Sequence, residues 1–169
     1  MNKSINQKEL FSKDFTVYWP DRYEPVVEYL QNGHGNSENL NSLYNNNAHV
    51  IVLAACLGLL HGSRLNIPDK EKNKEIPSSV FNNNDLTIYI YLIALLSEDV
   101  PDVNLLKNLE GETKAIKIFE EYVSSGLQLL NEKYTQGYID TPFIFVSNLL
   151  KTDINASDEL PPLDEINLF

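Results

Sequence analysis

Residues 49–68 read HVIVLAACLGLLHGSRLNIP, and from Val50 to Leu60 the run is apolar without a break. Eleven such residues fall well short of the ~20 needed to cross a bilayer. They are also too apolar for one side of a surface helix, so other parts of the chain have to surround them. Asn46 or Asn47 is placed to cap the N-terminus of this helix. Gly62 is placed to end it in the left-handed conformation, with His61 near the negative end of the dipole. At helical spacing Val50, Leu53, Leu57 and Leu60 lie on one side and Ile51, Ala55 and Leu59 on another. A helix apolar nearly all round is usually the central one. Ala54, Ala55 and Gly58 keep part of its surface thin enough for a neighbouring backbone to come close.

The remaining segments supply the surround. After Tyr18-Trp19-Pro20, a helix starts at Asp21 or Glu24 with Pro25 in its first turn, buries Tyr23, Val26, Val27 and Leu30, and stops at Gly33. Asn84 is expected to cap a helix over Leu86 to Leu96. Its Thr-Ile-Tyr-Ile-Tyr start favours a strand, but about eleven residues is long for one. From Glu112 to about Tyr134, Ile116, Phe119, Val123, Leu127 and Leu130 repeat at helical spacing, with Gly126 on the apolar side. A mid-helix glycine costs about 1 kcal/mol relative to alanine, so Gly126 is expected to pack closely against Ala54 and Gly58. Thr141-Pro142 opens a last helix, PFIFVSNLLK. The fold expected is all-α, a single-domain bundle of about five helices around the central apolar one.

At 169 residues the chain is long enough for one domain with its own core. Residues 1–20 read as a polar N-terminal arm, 21–150 as the helical domain and 151–169 as an acidic tail. The net charge of -11 repels nucleic-acid phosphates on average, although a local basic patch can overcome this. Cys56, the single cysteine, excludes an intramolecular disulfide and is expected to be a buried, inert thiol. The N-terminal residues lack the apolar core of a secretion signal, so a cytoplasmic protein is expected.

Little in the sequence points to catalysis. His49 and His61 lie twelve residues apart, about 120° around one helix at ~100° per residue, and His34 falls in a loop. Neither a CxxC nor an HExxH spacing is present, nor a phosphate-binding glycine loop or GxSxG turn, and no metal or cofactor is expected. Adjacent acids such as Glu120-Glu121 and Asp158-Glu159 point apart and read as solvated surface. The candidate anion-binding segment is the charged loop Arg64 to Glu75, with Arg64, Lys70, Lys72 and Lys74 interleaved with Asp69, Glu71 and Glu75. In the tail, Leu163, Ile166 and Phe169 sit among acids and could dock a partner groove or the chain's own domain.

Three blocks resemble the Dnd system-associated protein 4 family, encoded beside bacterial DNA phosphorothioation genes: VIVLAACLGLLHGSRLNIP; KEIPSSVFNNN followed by LIALL; and KAIKIFEEYVSSGLQLLNEKY. They span about Asn46 to Tyr134, leaving both arms outside the match. The resemblance implies an accessory protein of a phosphorothioation-linked restriction or anti-phage system that acts with larger ATPase and nuclease subunits, and it brings no catalytic residues with it. On this reading the partners are protein subunits of a defence complex, and any DNA is met indirectly. Two nearly all-round apolar helices exceed what one small bundle readily covers, so an exposed patch or a surface for self-association is expected. The rival reading is a DNA-binding regulator that uses the Arg64 to Lys74 loop. A related rival is a small subunit of another SMC-like defence complex.

Overall fold

A computed structural model describes residues 14–32, 43–44, 46–67, 73–97, 102–106, 108–137 and 141–156. Among these are six α-helices: α1 (Glu24–Asn32), α2 (Asn47–Leu60), α3 (Ser78–Asn83), α4 (Thr87–Leu96), α5 (Leu109–Thr135) and α6 (Pro142–Ala156). Two strands, β1 (Thr16–Pro20) and β2 (Asn73–Pro77), pair antiparallel with Val17 opposite Ile76 and Trp19 opposite Lys74. The architecture is therefore mostly helical, as expected, with a small two-stranded sheet added to the helices. Val17 and Trp19 are buried while Tyr18 between them is exposed, the alternation that the two faces of a strand produce. The end of the supposed arm is thus part of the core, and the end of the supposed charged loop is its partner strand.

The apolar run forms α2, as the sequence requires. The Asn46 carboxamide oxygen accepts from the His49 backbone N–H at 3.3 Å, closing its first turn. At the other end the Gly62 N–H donates to Leu59 O (2.9 Å) and the Ser63 N–H to Gly58 O (3.1 Å), with Gly62 at φ 60°. This double bond pattern is the Schellman ending, and its left-handed residue favours glycine.

The longest helix, α5, lies alongside α2 in the antiparallel sense. A Cβ built on Gly126 would overlap the Ala54 carbonyl, and one built on Gly58 would overlap the Tyr122 carbonyl. Ala54, Gly58 and Gly126 thus bring the two backbones into direct contact. Against this pair pack α1 and α4, with the single 3-10 turns Asp21–Tyr23 and Val103–Leu106 filling the ends. At one end Tyr29 of α1 meets Tyr134 of α5 (ring centroids 5.1 Å) and, edge-on, Phe145 of α6 (5.8 Å).

Several boundaries differ from those expected, each for a local reason. Helix α5 begins three residues before Glu112, because the Asn108 side chain caps it by accepting from the Gly111 N–H at 2.8 Å. Asn84 does not cap α4. Its amide donates to Val80 O at 2.7 Å and closes α3, and Leu86 precedes α4 with no side-chain cap. Helix α6 continues beyond Lys151 to Ala156. Cys56 is exposed rather than buried, because α2 leaves one arc, with half-buried Leu53 and exposed Leu60, uncovered. Partial burial still holds the Cys56 thiol pKa above its ordinary value.

Candidate functional site

Of the four cations assigned to an anion-binding loop, Lys70 and Lys72 lie outside the described residues, as do Leu163, Ile166 and Phe169 of the tail. The other two cations are held by carboxylates. Arg64 donates from Nε (2.8 Å) and Nη2 (2.5 Å) to one Glu121 oxygen, with its guanidinium 5.7 Å from the Tyr122 ring centre. The next residue follows the same path, since the Leu65 N–H donates to Glu121 O at 3.1 Å. The Gly62-Ser63-Arg64 turn is therefore a clasp that fastens the end of α2 to the middle of α5. Lys74 bonds Glu24 at 2.6 Å across to α1, and this hydrogen bond raises its pKa. The geometry engages both cations within the fold and does not bring them together.

Beside this clasp a groove of about 650 Å³ runs between β1 and the first half of α5. Among the described residues its charged lining is Asp14, Glu112, Glu120 and Glu121 against one lysine, Lys117. That balance disfavours a phosphate. The two adjacent acids on α5 are not the solvated pair their spacing suggested: Glu121 holds Arg64, and Glu120 accepts the Tyr18 backbone N–H at 2.7 Å. Tyr18 sits on β1, whose other edge is taken by β2, so Glu120 satisfies a donor the sheet leaves unpaired.

Burial pushes the Glu120 carboxyl from its ordinary 4.5 to about 7; the Glu121 charge adds to this, while the Tyr18 hydrogen bond and Lys117 oppose it. With the folded pKa above the unfolded one, the folded state binds the extra proton. The resulting stability is complete below about pH 4.5 and is lost as pH rises through about 7. Glu120→Gln keeps an acceptor for Tyr18 but does not titrate. Relative to this variant, the wild type is expected to lose on the order of 2 kcal/mol between pH 4.5 and 7.5 in urea unfolding. Parallel pH profiles for the two proteins would refute it.

His49 has structural surroundings. His49 Nδ1 lies 2.9 Å from Asn46 Oδ1 and its ring stacks on Tyr44, while His34 is outside the described residues. Among the described residues, no three of His, Cys, Asp and Glu are grouped as a metal ion would need, and no helix is long and apolar enough to cross a membrane.

A second surface feature was foreseen only as a surplus of apolar residues. Helix α4 buries Ile90, Tyr91, Ile93 and Ala94 against the core. Its opposite arc leaves Ile88 (48%), Tyr89 (40%), Leu92 (44%) and Leu96 (65%) exposed. Residues 88, 92 and 96 recur every four positions and so form one stripe. That spacing is visible in the sequence, but which arc faces outward is set by the contacts of α4 with α5, α2 and the Val103–Leu106 turn.

A family model described as DNA sulphur modification system-associated protein 4 matches residues 20–164. The chain belongs to this family. No curated protein and no solved structure matches it. The match reaches further than the three blocks near the centre and takes in all six helices, including residues 152–164 of the segment expected to lie outside it. The family's description associates the chain with a DNA sulphur modification system. Both the Arg64 clasp and the α4 stripe fall within the matched residues.

Proposed function

We propose that this protein is a non-enzymatic accessory subunit of a bacterial DNA phosphorothioation-linked restriction or anti-phage system, an adaptor that works through contacts with the larger ATPase or nuclease subunits. Membership of the family supports association with a DNA sulphur modification system. The observation that carries the adaptor role is the uncovered stripe of Ile88, Leu92 and Leu96 along α4. Contiguous exposed apolar surface on a small soluble domain usually marks an interaction site. Direct DNA binding has less support: Arg64 and Lys74 are each committed to a carboxylate, and the nearby groove is acidic.

Light scattering coupled to size exclusion tests this reading, with the purified chain run alone and with each other protein of its sulphur modification system. A complex of defined stoichiometry with at least one of them is the expected result. A chain that elutes unchanged with all of them, and that binds duplex DNA with a steep salt dependence weakened by Arg64→Ala, would replace the adaptor by the regulator.

A further inference from the structure

We infer that the exposed arc of α4 receives an amphipathic helix from another subunit, one with an apolar stripe bounded by lysine or arginine. This names the docking surface of the adaptor proposed above and rests on that reading.

The length and chemistry of the surface argue for a helix. Ile88 to Leu96 spans nine residues, eight steps of 1.5 Å or about 12 Å, which matches roughly two to three turns of a partner helix. Side chains at every fourth position form the ridge that packs into the grooves of another helix, and Tyr89 adds an aromatic ring with a polar tip to the same arc.

Charge selects which helix. From Glu75 to Leu106 the chain contains no lysine or arginine, while it holds Glu75, Asp85, Glu98, Asp99 and Asp102. Asp85 is exposed just before the first turn of α4, and Asp102 precedes the Val103–Leu106 turn that packs on the same helix. Among the described residues the stripe is therefore neutral along its length, with one exposed carboxylate, Asp85, just before α4 and a half-buried one, Asp102, at the turn packed on it. A second copy would bring another chain of net charge -11, with its own Asp85, against the same surface. A partner helix with basic ends meets the same arc with attraction, which speeds encounter and fixes register.

The test uses the full chain with a photo-reactive benzoylphenylalanine at Leu92, mixed with each purified protein of the system, and mass spectrometry of the cross-linked segment. Titrations of wild type, Leu92→Glu, Leu96→Lys and the control Phe143→Glu on α6 accompany it, with circular dichroism to verify folding. The inference expects a cross-link to a helical partner segment with apolar residues every three to four positions and basic flanks. It further expects at least a thirty-fold loss of affinity for both α4 variants with little change for Phe143→Glu, and weaker binding at higher salt. A cross-link to another copy of this chain, or to an acidic segment, would overturn the occupant. Full binding by both folded α4 variants would overturn the surface while leaving the adaptor standing. If the wild type binds none of the proteins, the adaptor itself fails.

Discussion

Gly126→Ala is expected to lower the unfolding free energy by about 3 kcal/mol, even though alanine is the better helix former by about 1 kcal/mol. The added methyl would occupy the position of the Ala54 carbonyl, which belongs to the backbone of a packed helix and cannot rotate aside as a side-chain tip would. Relief requires α2 and α5 to part along their shared seam, and that loosens the contact at Gly58 against Tyr122 as well. Gly58→Ala should thus be similarly damaging, and the double variant should cost less than the sum of the two. Urea unfolding measures it as a lower midpoint at constant slope. A Gly126→Ala protein as stable as the wild type would mean that the two backbones do not touch there.

Phe119→Ala should be more damaging still, at about 4 kcal/mol. Phe119 is fully buried on α5 and meets Phe81 of α3 edge-on at 6.2 Å between ring centres. Phe81 in turn contacts Phe15 at 6.0 Å, and the Ser78 N–H donates to Phe15 O at 2.8 Å. The three rings tie the long helix to the short one and to the chain entering the sheet, so the cavity left by one ring has rigid walls on several sides. Phe119→Leu, which retains most of the volume, should lose about 1.5 kcal/mol or less. For a chain of this length a 4 kcal/mol loss corresponds to roughly 10 °C in Tm, measurable by calorimetry. A shift below ~2 °C would place the ring outside the core.

The helices were legible because their signals are local. The run Val50 to Leu60 has a cap, an unbroken apolar stretch and a left-handed stop within twenty residues, and Gly126 on the apolar side of its helix pointed to a close approach that the geometry places at Ala54. The sheet was not legible. In β2 only Ile76 is buried, so no alternation exists to read, and its partner strand lies more than fifty residues away. The partners of the charged segment were not legible for a related reason. Its sequence shows alternating charges, whereas the carboxylates that engage Arg64 and Lys74 come from Glu121 and Glu24, 57 and 50 residues distant. Asn84 misled because a single amide can serve the helix behind it as readily as the one ahead, and here Val80 offers the nearer carbonyl.

The short sheet also bears on where the chain can be cut. The family match begins at Pro20, the last residue of β1. A fragment trimmed to that boundary would lose Val17 and Trp19 from the interior, strip β2 of the strand it pairs with and leave Glu120 without the amide it accepts from. Such a fragment would carry α1 to α6 and still present a raw strand edge beside newly wetted Ile76, a combination that invites precipitation during expression.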